Sequence, residues 1–142
     1  MEVCCNPARL LHAPGYRERY DAYAPPAELI AVLESIGEPV TVLVVYGTWC
    51  NDSRRVVPEV VKALELASND QLRLLATHVS YAETDPRPFR AGSVEVSRYP
   101  TVALLTGHFG AASQIPPGAE RVRFVEQSLD EAKIRAAFPA GN

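Results

Sequence analysis

The stretch "PVTVLVVYG", residues 39–47, restricts the fold more than any other part of this chain. It is continuously apolar and rich in β-branched residues, whereas a strand with one solvated face would alternate. Such a strand belongs inside a sheet, with a layer packed on each side of it. Behind it, from about residue 51 to 67, the apolar positions Val56, Val57, Val60, Val61, Leu64 and Ala67 recur at helical spacing. Pro58 interrupts that pattern and removes one backbone hydrogen bond at a cost of about 3 kcal/mol, so a long, kinked helix is expected. "QLRLLATHVS" then reads as a second central strand, and a strand, helix, strand sequence of this kind makes a right-handed parallel crossover.

The remaining elements are read the same way. "PPAELIAVLESIG" sets Leu29, Ile30, Leu33 and Ile36 on one helical face, with prolines at its start and Gly37 at its end. "YPTVALLTGHFG" gives a strand from just after Pro100 to Gly107, and "ERVRFVEQ" returns beside it after a loop too long for a tight hairpin. "SLDEAKIRAAF" reads as a final helix, with Ser128 and Glu131 at capping-box spacing. Residues 80–93 read as a charged surface loop. Residues 1–25, without a clear period, read as an N-terminal arm, extended and packed through Tyr16, Tyr20 and Tyr23, ahead of one domain over residues 26–142.

Several function classes drop out on composition. Fourteen Lys and Arg against 17 Asp and Glu leave a net charge of -3, the wrong sign for gripping a phosphate backbone, so no nucleic-acid partner is expected. No apolar stretch approaches the roughly 20 residues of a membrane span, and no membrane partner is expected. The opening "MEVCCNPARLLHAPG" lacks an apolar block of secretory length, and the expected compartment is the cytoplasm. Of three cysteines, Cys4 and Cys5 are adjacent near the terminus, so no disulfide framework is implied. His78 and His108 have no acid or cysteine at ligand spacing, so neither a metal site nor a cofactor is expected.

Chemistry concentrates in "YGTWCNDSRR", residues 46–55. A strand ends near Tyr46 and a helix begins near Asn51, so Cys50 falls at a helix start, where unpaired backbone N–H groups and the helix dipole favour a thiolate over a thiol. That position makes Cys50 a candidate nucleophile rather than a core cysteine. Asp52 is explained by the helix dipole and Arg54 and Arg55 by a solvated face, although either arginine can steer an anionic thiol.

The order of strand, Trp-Cys-x-x-Ser and proline-broken helix resembles the thioredoxin family over about residues 27–138. Three features carry the resemblance: Trp49 before Cys50, Pro58 five residues beyond Ser53, and Pro100 ahead of a late strand. The resemblance implies a three-layer α/β/α sandwich around a central mixed sheet. It also implies a cis Pro100 facing the nucleophile, with Tyr99 touching the partner and Trp49 covering the site. This chain departs from the family at two places. Ser53 stands where a resolving cysteine would be, and the family's buried carboxylate position falls on Val44. Without a second thiol at position 53 the motif cannot resolve a mixed disulfide itself, and only an N-terminal arm folded over the site could bring Cys4 or Cys5 to do so. The expected roles are therefore Cys50 as the attacking sulfur and Ser53 as hydrogen-bond donor to its thiolate. The expected activity is monothiol thiol-disulfide exchange with a protein or low-molecular-weight thiol or disulfide. The alternative is a redox-inactive module that binds a peptide or protein on the same surface.

Overall fold

A computed structural model describes residues 2–4, 7–81 and 88–139. In chain order the elements are β1 (Glu2–Cys4), α1 (Pro7–Leu10), α2 (Tyr16–Ala22), α3 (Ala27–Glu34), β2 (Val40–Tyr46), α4 (Asn51–Ala67) and β3 (Leu72–His78). They continue with β4 (Phe89–Ala91), β5 (Val94–Val96), β6 (Thr101–Thr106), β7 (Glu120–Val125) and α5 (Glu131–Ala137). Among the described residues no helix is long and apolar enough to cross a membrane.

The apolar run lies where its composition requires. All seven residues of β2 are buried, and it sits third in a five-stranded sheet of order β1-β3-β2-β6-β7. Strand β3 runs parallel to β2, and the other pairings are antiparallel. Because side chains alternate along a strand, Val40, Val42, Val44 and Tyr46 enter one apolar cluster, while Leu43 and Val45 enter another on the opposite face.

The first cluster joins the sheet to all five helices, through residues such as Leu10, Tyr16, Leu33, Val57 and Ile134. The second is closed by the β4–β5 hairpin and by the segment before β7, with Val94, Val96, Ala112 and Ile115 packed on Leu75 and Leu105. The fold is thus α/β with a mixed central sheet, as expected. Among the described residues the layer on the second face is built by the hairpin and a one-turn 3-10 helix, Ala112–Gln114. The proline in α4 does not end it, and the helix runs through Pro58 for 17 residues.

Three expectations are corrected. The N-terminal segment is not extended: Tyr16–Ala22 is helical, and Tyr16 is fully buried against the core. The loop expected over 80–93 contains strand β4 and leads into a hairpin, where Gly92 at φ +60° allows the tight reversal. Finally, α5 starts at Glu131, so its cap is Asp130, whose carboxylate accepts from the Ala132 N–H at 2.9 Å, and not Ser128. Cys4 lies on β1, against β3, and Cys5 falls outside the described residues.

Candidate functional site

The parallel strands β2 and β3 end side by side, with Tyr46 opposite His78, and the chain turns there before entering α4. The turn is closed by the Cys50 N–H, which donates to the Gly47 carbonyl at 3.0 Å, and the Cys50 carbonyl then accepts the first helical bond, from the Arg54 N–H at 3.2 Å. Cys50 is therefore the N-cap residue, extended at φ -104° and ψ 125°, with a half-buried side chain. Its S–H donates to the Tyr99 carbonyl across the site, Sγ to O 3.3 Å.

Tyr99 precedes β6, and the Tyr99–Pro100 peptide bond is cis. Both residues are buried. The Pro100 carbonyl accepts from the Glu126 N–H at 2.8 Å, and the Thr101 hydroxyl donates to the Arg98 carbonyl at 2.8 Å, which fixes the loop on both sides of the proline. The structure thus brings Cys50, Tyr99 and Pro100 together from two segments about fifty positions apart.

Trp49 forms one wall. Its Nε1–H donates to the Val79 carbonyl at 2.8 Å, just beyond β3. Its ring meets Tyr99 edge-on at 5.8 Å and Tyr81 edge-on at 5.3 Å. The indole folds back over the turn, and a Cβ at Gly47 would fall 2.4 Å from it, so only glycine fits there. Thr48 ties the same turn to β3: its N–H donates to His78 Nε2 at 3.2 Å, and its hydroxyl lies 3.1 Å from the same nitrogen. The His78 ring in turn sits edge-on to Tyr46 at 5.3 Å. Burial raises the Tyr46 phenol above its ordinary range.

Ser53 bonds differently from the sequence expectation. It is fully buried, and its Oγ accepts from the Gly47 N–H at 3.2 Å, so the hydroxyl ties the start of α4 to the end of β2 rather than donating to the Cys50 sulfur. Around the rim, Arg55 faces Asp52 at 3.6 Å and donates to the Glu126 carbonyl at 3.1 Å, while Arg98 lies 3.7 Å from Glu126. Among the described residues no group of three His, Cys, Asp or Glu is placed to hold a metal ion.

Sequence reasoning located Trp49, Cys50, Ser53, Tyr99 and Pro100. It missed Tyr81, which lies in a segment without periodicity, and the roles of Thr48 and His78, which depend on the alignment of β2 with β3. It also left Tyr16 as a packing residue. The ring of Tyr16 is 6.4 Å from that of Tyr46.

A thioredoxin family profile matches residues 8–82. No curated protein matches the chain. Among solved structures, a protein of unknown function from Pseudomonas aeruginosa is similar at 23% identity and a TM-score of 0.49, over 85% of this chain and 61% of that one. An HIV epitope-scaffold is similar at the same identity and TM-score, over 85% of this chain and 62% of its own. The chain therefore spans about three fifths of the length of each of these structures.

Proposed function

The chain belongs to the thioredoxin family, and from that premise we propose that it exchanges thiols and disulfides through the single sulfur of Cys50. The observation supporting this reading best is the position of that sulfur: half-buried at the first turn of α4, 3.3 Å from the Tyr99 carbonyl and beside the cis Tyr99–Pro100 bond.

In the proposed reaction the Cys50 S–H first loses its proton to solvent. The thiolate attacks one sulfur of a partner disulfide, forming the Cys50–partner bond as the partner's own S–S bond breaks, and the second partner sulfur leaves as a thiolate. Ser53 has no sulfur, so the mixed disulfide is released by an outside low-molecular-weight thiol, which becomes disulfide-bonded to the partner. Trp49 covers the sulfur, Tyr99 and Pro100 position the partner's backbone, and Ser53 holds the turn that aims Cys50. The setting of this reading is the reducing cytoplasm, where such thiols are at hand.

The test uses a chain with Cys4→Ser and Cys5→Ser, so that Cys50 is its one thiol. Treated with an aromatic disulfide such as dithionitrobenzoate, it is expected to release one equivalent of aromatic thiol, form an adduct that maps to Cys50, and regain its free thiol with glutathione. Replacing Cys50 by Ser abolishes all three. A folded protein whose Cys50 alkylates but forms no mixed disulfide would overturn the reading in favour of a peptide-binding surface without turnover.

A further inference from the structure

The charges around Cys50 do not balance. Arg55 faces Asp52 at 3.6 Å and Arg98 faces Glu126 at 3.7 Å, so each carboxylate of the rim is matched by an arginine. Arg54 is left over. Pairing is the rule elsewhere, since seven of the described arginines face a carboxylate. Arg54 is exposed, and among the described residues its guanidinium meets no carboxylate and donates no hydrogen bond. Three arginines against two carboxylates make the rim positive on a chain whose net charge is -3. The dipole of α4 adds to the same sign.

The unpaired cation is also held close to the reactive residue. The Arg54 N–H donates to the Cys50 carbonyl at 3.2 Å, which sets the two residues one turn of α4, about 6 Å, apart along its axis. Long side chains on a helix lean back over the preceding turn, towards the helix start. Here the stem lies along the bare backbone of Gly15, where a Cβ would fall 2.6 Å from Arg54 Cδ and 3.3 Å from its Nε. Gly15 adjoins Tyr16, whose ring is 6.4 Å from that of Tyr46 at the end of β2, so the stem is braced on the side where the chain turns into Cys50.

A guanidinium pairs with a carboxylate through two parallel N–H bonds, and one placed a turn from the sulfur reaches a carboxylate carried close to the reacting sulfur of a partner. We propose that Arg54 selects the charge of that partner, and that Cys50 exchanges with a small anionic disulfide, glutathione disulfide being the type. This deepens the exchange reading and rests on it. The Cys50 thiolate bonds to one sulfur of the small disulfide while the other leaves as a thiolate, and the same anionic thiol later frees Cys50. Arg54 is the specificity residue of the exchange, and its part is to draw in and orient the carboxylate.

The test compares two alkylating reagents of nearly equal size on the chain carrying Cys4→Ser and Cys5→Ser, at neutral pH and low salt: iodoacetate, which is anionic, and iodoacetamide, which is neutral. Any change in thiolate content moves both rates together, so their ratio reads the attraction of charge alone. Arg54→Gln is expected to lower the iodoacetate-to-iodoacetamide ratio about threefold, the effect of removing one unit charge about 6 Å away in water. Arg54→Lys keeps the ratio, and strong salt shrinks it in the parent. Arg73→Gln removes another exposed arginine, near the start of β3 and away from the site, and leaves the ratio unchanged. Mixed-disulfide formation follows the same order: the parent prefers glutathione disulfide to the cationic cystamine, and Arg54→Gln narrows that preference. Equal ratios in the parent and Arg54→Gln, or an equal loss in Arg73→Gln, would overturn the proposal. A ratio that depends on Arg54, in a protein that forms no mixed disulfide with either reagent, would reject the exchange reading while keeping the anion preference of the site.

Discussion

A hydroxyl buried as deeply as that of Ser53 costs stability unless it is hydrogen-bonded. It takes the Gly47 N–H, itself the first donor beyond β2, and so one contact satisfies two buried groups. Ser53→Ala removes the acceptor and leaves that N–H unpaired, for which a loss of about 1–3 kcal/mol in stability is expected, read from urea unfolding. The same substitution loosens the turn that carries Trp49 and Cys50, so the alkylation rate of Cys50 changes with it. At this scale the site was legible as far as spacing is local: Trp49, Cys50 and Ser53 lie within five positions, whereas the cis Tyr99–Pro100 bond was expected only from the family resemblance, a local reading favouring trans. The partner chosen by Ser53 was not legible, because it depends on how tightly the turn curls. Nor was the wall made by Tyr81, which reaches Trp49 from beyond β3.

Among the elements, α2 shows how a helix can be held by few residues. It packs on α4 through Tyr16, through Arg19, which donates to the buried Glu59 carboxylate, and through Tyr20, whose hydroxyl donates to Glu65 at 2.5 Å. Lys62 of α4 closes the contact by donating to the Tyr20 carbonyl at 2.9 Å. Arg19→Ala leaves the buried Glu59 unpaired. Because Arg19 is itself about two fifths exposed, the expected loss is about 1–3 kcal/mol, below that of a fully buried pair, and chemical denaturation measures it. Packing through Tyr16 and Tyr20 was expected from the sequence, but neither the helix nor its polar contacts could be read from "YRERYDA", which has one core residue and no apolar period. By contrast, β2 and α4 showed themselves through long runs of a single period, as did α5 through its apolar positions. The hairpin of β4 and β5 escaped because three-residue strands are too short to establish an alternation. The cap of α5 was misplaced because Ser128 and Asp130 both suit the role and only the true start of the helix decides between them.

For the molecule as a whole, tyrosines set the response to alkali. Burial is the leading cause of the raised values of Tyr16, Tyr23 and Tyr46 above their ordinary 10.0, while Tyr20 is raised first by its bond to Glu65. The folded protein therefore keeps phenolic protons that the unfolded chain has already lost. Stability from these groups is intact below about pH 10 and falls as the pH rises beyond it, by up to about 1.4 kcal/mol per pH unit for each fully buried phenol. Urea midpoints taken from about pH 8 to 11 should fall above pH 10, and less steeply in Tyr16→Phe. The overall architecture was legible because the two central strands are apolar on both faces. The covering of the second face by a hairpin was not, since nothing local distinguishes it from a loop. The N-terminal segment spans this architecture: β1 adds to the sheet beyond β3, and α2 lies on α4. Both of its partners lie later in the chain, so β1 and α2 stay without their packing surfaces during synthesis until residue 78 has been made.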